Sequence, residues 1–272
     1  MKKVCVIGLG YVGLPVALLA AENGLDVIGF DTDPHKIAAA NVNNPYSDHP
    51  EISHHLQNVL LNYQFRTSSV IEAADYFVIT IETHVTAKHT ADLTEFWKTI
   101  QIIAPYITKG ATVIIESTVP VGTTLHYAEK LEQATGMTAG SDFYVAYSPE
   151  RISYEKMFRE LSWNTRIIGG INPESSEKAY DFYNYFVKGE IYLTTSITAE
   201  LVKLAESSFN DVNHALTQEI SEIARAQDLD PFEVINFANK HPKINFAQPS
   251  CKLDEYRSSI APWFLHEQHP QK

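Results

Sequence analysis

The chain reads as an α/β protein: a doubly wound parallel sheet, followed by a long helix and a small helical region. Three observations predict this. Short apolar runs of strand length recur at 4–7, 26–30, 76–81, 111–115 and 143–147, the pattern of strands buried on both faces. Helical patterns separate them, so strands and helices alternate as such a sheet requires. From about Ile197 to Asp228 the residues Leu201, Leu204, Ala205, Phe209, Val212, Leu216, Ile220 and Ile223 recur at three- and four-residue spacing, the apolar stripe of one helix. At 1.5 Å per residue that helix is roughly 45 Å long, more than cover for a sheet needs.

The first element organises the rest. Val4, Val6 and Ile7 run straight into Gly8-x-Gly10-x-x-Gly13, and an apolar helical pattern follows through Ala17, Leu18, Leu19 and Ala21. Strand, glycine turn and helix in that order make a dinucleotide-binding βα unit, the start of a Rossmann-type sheet. Gly8 permits the turn, Gly10 lets the backbone approach a pyrophosphate, and Gly13 lets helix and strand pack closely. Tyr11 and Val12 complete the turn. The helix N-terminus then aims its N–H groups at the phosphates. A second strand, Asp26 to Phe30, ends at Asp31, about twenty residues beyond the glycines. An acid there accepts hydrogen bonds from the ribose hydroxyls and repels a 2′-phosphate, which favours NAD over NADP. A glycine turn alone is equally a turn without a ligand. The strand before it, the helix after it and the acid beyond it favour the dinucleotide site.

Further along, Asp33-Pro34 opens a helix, with Pro34 in its first turn. The Asn- and Pro-rich stretch Asn41 to Pro50 reads as a loop, and a helical pattern continues to Leu61. The strand from Tyr76 empties into the polar loop Glu82-Thr83-His84-Val85-Thr86. Asp92 caps a helix carrying Leu93, Phe96, Trp97 and Ile100. The strand from Ala111 ends at Glu116-Ser117-Thr118-Val119-Pro120, and the strand from Phe143 ends at Ser148-Pro149-Glu150-Arg151. Three strands thus deliver polar residues to the carboxyl edge, where ligands of such sheets bind. Asp230 and Pro231 begin a last helix through Phe232, Val234, Ile235 and Phe237.

Composition sets the outer bounds. A chain of 272 residues, 44% hydrophobic and 20% charged, has globular values and ample core for one large domain or two ordinary ones. Its formal charge of −12 argues against nucleic-acid partners and against an anionic membrane surface, so an anionic ligand must be held by local groups. Two cysteines, Cys5 and Cys251, make no disulfide framework, which points to a reducing compartment. With no membrane-length apolar run and no signal peptide, the expected location is the cytoplasm.

The motifs taken together resemble the UDP-glucose/GDP-mannose dehydrogenase family, on the branch of the UDP-N-acetylmannosamine and UDP-N-acetylglucosamine 6-dehydrogenases. They are Gly8-Leu9-Gly10-Tyr11-Val12-Gly13-Leu14-Pro15, Glu116-Ser117-Thr118-Val119-Pro120 with Gly122-Thr123-Thr124, Tyr147-Ser148-Pro149-Glu150-Arg151-Ile152, Ala199-Glu200-Leu201-Val202-Lys203-Leu204-Ala205-Glu206 and His241-Pro242-Lys243-Ile244-Asn245. The resemblance implies an NAD-dependent oxidation of the C6 alcohol of a nucleotide sugar, through an aldehyde, to a carboxylate. It implies Gly8, Gly10, Tyr11, Val12, Gly13, Asp31, Lys36, Thr83 and Thr118 as the cofactor-binding set. Thr118 also positions a water, Glu150 is the acid/base and Lys203 the cation at the developing oxyanion. Each has a plainer reading beside it: Lys203 as a solvated helix lysine, and Glu150 as an exposed loop acid paired with Arg151. No metal is implied. The implied division is an NAD-binding domain over 1–195 and a helical central region over 196–272, with the long helix 197–228 as a homodimer contact. Its apolar stripe serves equally as intramolecular core.

The chain departs from the family near its end. Gln248-Pro249 and Pro262-Trp263-Phe264-Leu265 stand at the family separation, but Arg257 occupies the position of the nucleophilic cysteine and Ala261 that of the following aspartate. Ser207 replaces the asparagine that assists the lysine, and no glycine follows Gly189. The family's third domain, which completes the nucleotide-sugar site, has no counterpart. Arginine cannot form a thiohemiacetal or thioester, and Cys251 lies six residues early. Three readings therefore stand: an enzyme acting on a nucleotide sugar without the cysteine-dependent second oxidation, a noncatalytic NAD-binding partner of a full-length relative, or a degenerate homologue. Retention of Thr118, Glu150 and Lys203 together favours the first.

Overall fold

The computed structural model describes residues 1–42, 49–86, 90–153 and 156–249. Cys251, Arg257 and Ala261 lie outside them, as does most of the predicted 41–50 loop. The described residues form two compact units, Met1–Thr83 with Asp92–Leu201, and His84–Ala91 with the chain from Val202 onward.

The first unit is built on an eight-stranded sheet. In chain order it contains β1 (Lys3–Ile7), α1 (Gly13–Glu22), β2 (Asp26–Phe30), α2 (Pro34–Asn41), α3 (Pro50–Asn62), β3 (Phe65–Ser68) and β4 (Tyr76–Ile79). A two-stranded ribbon, β5 (His84–Val85) with β6 (Ala91–Asp92), interrupts it. Then come α4 (Thr94–Ile103), β7 (Thr112–Ile115), α5 (Thr123–Thr135), β8 (Tyr144–Tyr147), α6 (Met157–Trp163), β9 (Arg166–Gly170), α7 (Pro173–Tyr183) and β10 (Ile191–Thr195). The sheet order is β10-β9-β8-β7-β4-β1-β2-β3. The chain leaves β1 towards β2 and β3 on one side, then returns to place β4 on the other. That reversal is the topological switch point, and its crevice opens at the carboxyl ends of β1 and β4.

Alternation along each strand separates the two faces. Val4, Val6, Tyr76, Val78, Ile114 and Ala146 pack into one core with Leu14, Leu18, Leu56, Phe158 and Phe182. Cys5, Ile7, Phe77, Ile79, Val113, Ile115, Val145 and Tyr147 pack into the other with Phe96, Ile100, Tyr127 and Leu131. Both faces are covered, which is why these strands read as unbroken apolar runs rather than as alternating ones. The predicted strands end within one or two residues of the observed ladders, the ordinary scatter of element ends. One feature departs from an all-parallel sheet: β9 pairs antiparallel with β8, Tyr147 opposite Gly169, and β10 runs parallel to β9. An antiparallel strand starts at the edge where its neighbour stops, so β9 begins at the carboxyl edge.

Asp33 caps α2, accepting from the His35 N–H at 2.8 Å. Asp92 accepts from the Thr94 N–H at 3.0 Å, but α4 begins at Thr94, so the N-cap position falls to Leu93, which makes no side-chain cap bond. The long helix is α8 (Ser196–Ala226), 31 residues, followed by α9 (Pro231–Ala238). Asp230 caps α9 by accepting from the Phe232 N–H at 2.9 Å. In the second unit Asn213 on α8 holds the segment after α9, donating to the Asn245 carbonyl at 2.8 Å and accepting from the Ala247 N–H at 3.2 Å.

Candidate functional site

The glycine turn after β1 has the geometry its sequence predicts. Gly8 adopts φ +96°, and a Cβ there would stand 3.0 Å from the Thr80 carbonyl oxygen. A Cβ on Gly13 would lie 1.9 Å from the Gly8 carbonyl oxygen and 2.4 Å from Thr80 Oγ1. A Cβ on Gly10 would meet nothing within 4 Å. Two glycines are thus needed by the protein's own packing, whereas Gly10 faces open space into which a ligand can bring its phosphates. The N-terminus of α1 has no side-chain cap, which suits an anion there. Tyr11 is exposed and Val12 packs against the core.

Asp31 is buried at the end of β2 and reaches back to this turn. Its carboxylate accepts from the Leu9 N–H at 2.8 Å and from the Asp33 N–H at 2.9 Å, and Lys36 Nζ stands 3.5 Å away. The acid predicted to read a ribose therefore also fastens the glycine loop. Thr80, which the sequence did not single out, closes the other side: its hydroxyl lies 2.9 Å from the Ile7 oxygen and 2.7 Å from the Gly8 oxygen.

The neighbouring strand ends meet at the same edge. Thr83 Oγ1 donates to the Thr118 carbonyl at 2.6 Å, joining the loop after β4 to the loop after β7. Ser117 Oγ donates to the Ile79 carbonyl at 3.3 Å. Glu150, after β8, accepts from the Ile152 N–H at 2.6 Å, and Arg151 donates to the Thr165 carbonyl at 2.6 Å. Lys203 stands half-buried on α8 in the second unit, one turn before Ser207.

Behind these loops is a buried polar cluster absent from the sequence-based site. Glu116 Oε1 accepts from Tyr183 Oη at 2.5 Å and from an Arg166 guanidinium nitrogen at 3.3 Å. The same nitrogen lies 3.2 Å from Ser148 Oγ, and the guanidinium carbon sits 4.1 Å from the centre of the Tyr183 ring. Burial, reinforced by the Glu150 charge, pushes the Glu116 carboxyl above its ordinary range against the opposing pull of Arg166 and Tyr183. A second buried carboxylate, Glu200 near the start of α8, accepts from the Gly122 N–H at 2.6 Å, the Thr124 N–H at 2.7 Å and Thr124 Oγ1 at 2.6 Å. It caps α5 from another element, which burial permits because each oxygen is hydrogen-bonded. Burial also pushes its pKa up.

A glycine turn at a switch point, a buried acid behind it and an open face at Gly10 define a dinucleotide-binding α/β protein. Comparison with known proteins sharpens the class. Residues 2–187 match the UDP-glucose/GDP-mannose dehydrogenase family, NAD binding domain, and residues 197–272 match the central domain of the same family. The chain belongs to the UDP-glucose/GDP-mannose dehydrogenase family, and its cofactor is NAD. It is 39% identical to the UDP-N-acetyl-D-mannosamine dehydrogenase of Pyrococcus horikoshii, over 97% of this chain and 63% of that one. It is 36% identical to the Escherichia coli (strain K12) protein of the same name, over 99% of this chain and 66% of that one. The solved structure of the Pyrococcus horikoshii UDP-D-ManNAc dehydrogenase superposes with a TM-score of 0.87 at 38% identity, covering 91% of this chain and 60% of that one. The chain thus spans less than two thirds of the length of these relatives. Among the described residues no helix is long and apolar enough to cross a membrane.

Proposed function

We propose that the chain is an NAD-dependent oxidoreductase acting on the CH–OH group of a nucleotide sugar, without the cysteine-dependent second oxidation. Residues 1–195 form the NAD-binding domain and 196–272 the helical central region. The observation that carries the reading is the 2.6 Å bond from Thr83 to the Thr118 carbonyl. It joins two of the loops expected to flank the nicotinamide, next to a glycine turn shaped for a pyrophosphate.

In this reading Gly8, Gly10, Tyr11, Val12 and Gly13 receive the phosphates, and Asp31 with Lys36 receives the adenosine ribose. Thr83 and Thr118 border the nicotinamide ring. Held by these residues, NAD would supply the hydride acceptor for the alcohol carbon. Glu150 takes the hydroxyl proton through a water held by Thr118, a relay that needs only a carboxylate within reach. Lys203 stabilises the negative charge that develops on the hydroxyl oxygen as its proton leaves. The substrate follows from the relatives' names and from these retained residues. The experiment is NADH formation against a panel of UDP- and GDP-sugars, with the products weighed by mass spectrometry. Failure with every sugar, despite NAD binding, would remove the enzymatic reading.

A second reading has its own support. Phe209, Val212, Leu216 and Ile223 along α8 are 64%, 62%, 48% and 65% exposed, and Arg257 stands where the family has its nucleophile. A homodimer through 197–228 would cover that stripe. So would a full-length relative, with this chain as a noncatalytic NAD-binding partner. A degenerate homologue is the remaining outcome if neither turnover nor a partner is found.

A further inference from the structure

Four elements converge on Glu116. It directly follows β7 and immediately precedes Ser117 and Thr118, while Ser148 directly follows β8 and precedes Pro149 and Glu150. Arg166, the first residue of β9, bridges the two strand ends: one guanidinium nitrogen reaches Glu116 Oε1 at 3.3 Å and Ser148 Oγ at 3.2 Å. Tyr183, the last residue of α7, adds its hydroxyl to the same carboxylate oxygen and its ring to the guanidinium face. Glu116, Ser148, Arg166 and Tyr183 are all buried. Glu116 Oε2 is buried too and has no hydrogen-bond partner among the described residues.

A buried ion pair is a poor way to gain stability, because removing both ions from water consumes most of what their attraction returns; apolar residues of the same volume do as well or better. What such a pair supplies is direction, since a guanidinium bonds only where its N–H groups point. Here both bonds end on the residues that launch the two loops. We propose that Glu116 and Arg166 are positioning residues, which set the spacing between the loop carrying Thr118 and the loop carrying Glu150. The proposal rests on reading those loops as the dehydrogenase site. Neither residue touches cofactor or substrate in this account. They act through Ser117-Thr118 and Pro149-Glu150.

The test compares Arg166→Met, Arg166→Lys and the double variant Glu116→Gln/Arg166→Met in the full chain with NAD. The double variant leaves no buried charge unpaired, so it remains informative if Arg166→Met alone does not fold. Amide hydrogen exchange is read for segments 117–122 and 148–153. The expected result is exchange at least about tenfold faster in both segments, with β1 and β2 changed less than about twofold, and at most partial recovery in Arg166→Lys, which restores the charge but not the guanidinium's direction. Where the parent protein forms NADH from a nucleotide sugar, kcat should fall at least about tenfold while KM for NAD moves less than about threefold. Unchanged loops, or an increase spread evenly over the whole sheet, would overturn the proposal. So would an unchanged kcat in a variant whose loops have loosened. A parent protein that oxidises no sugar defeats the dehydrogenase reading, and the exchange measurement then decides the positioning role by itself.

Discussion

Gly13 lies so close to Gly8 that a Cβ on it would stand 1.9 Å from the Gly8 carbonyl oxygen. The obstructing atom is backbone, held in turn by the Thr80 hydroxyl at 2.7 Å, so neither side can give way cheaply. Gly13→Ala should therefore lower stability by about 1–3 kcal/mol, the usual cost of overpacking, and lose NAD binding with it. Gly10→Ala, whose Cβ meets nothing within 4 Å, should fold with an unchanged melting temperature yet weaken NAD binding at least about tenfold, a change of about 1.4 kcal/mol. Thermal denaturation and calorimetry on the two variants separate the effects. Equal behaviour would mean that Gly10 does not face the cofactor.

The proposed function gives Asp31 a second task beside its bond to the Leu9 N–H, and its replacement should reveal both. Removing the acceptor of the buried Leu9 N–H bond should destabilise Asp31→Ala by about 1–3 kcal/mol. The same change should narrow the preference for NAD over NADP, because the charge that repels a 2′-phosphate is gone. Parent protein that binds NADP as tightly as NAD in calorimetry would count against this placement.

Cys5 sits in β1 with no exposed surface, and burial pushes its thiol up to about 12. The thiolate is the reactive form, so at pH 8 Cys5 should resist iodoacetamide in the folded protein and react once denaturant is added. Rapid labelling of native Cys5, mapped by peptide mass, would show that the first strand opens locally.

The chemistry at the end of the chain yields a further prediction. If Arg257 stands in place of the nucleophile, as the family resemblance implies, no acyl-enzyme can form there, and any activity should stop after one slow hydride transfer. It should survive Cys251→Ala and vanish in Lys203→Ala. Two NADH per sugar together with a trapped adduct on Cys251 would show instead that the terminal segment has been rebuilt.

Exposure along α8 predicts association. Phe209→Glu with Ile223→Glu should shift a dimeric species to monomer in light scattering without lowering the melting temperature of the NAD-binding unit. A parent protein that stays monomeric at every accessible concentration and binds no relative would remove the interface.

Much of the fold was legible because its determinants are local. A strand buried on both faces is an apolar run, a turn at φ +96° favours glycine, and a helix start gains from a side-chain cap; Val4–Ile7, Gly8 and Asp33 each meet such a requirement from their neighbours in sequence. The glycine turn, the helix after it and the position of Asp31 followed for the same reason, since all three lie within about thirty residues of one another in a βαβ unit. The edge strands β3 and β10, and β9 beside β10, were less visible. Short strands with half-exposed residues, such as Tyr192 and Leu193 in β10, carry no unbroken apolar run.

What the sequence by itself determined is therefore the parallel core, the switch-point turn and the identity of the residues at three strand ends. Only the tertiary structure decided what stands behind them. Alternating strands and helices imply that every strand runs the same way, which would start β9 at the amino edge, far from Glu116. Because β9 pairs antiparallel with β8, Arg166 begins it at the carboxyl edge and meets Glu116 and Ser148. Strand direction is settled by which edge and which partners the whole sheet leaves available. No stretch of sequence around Arg166 contains that information.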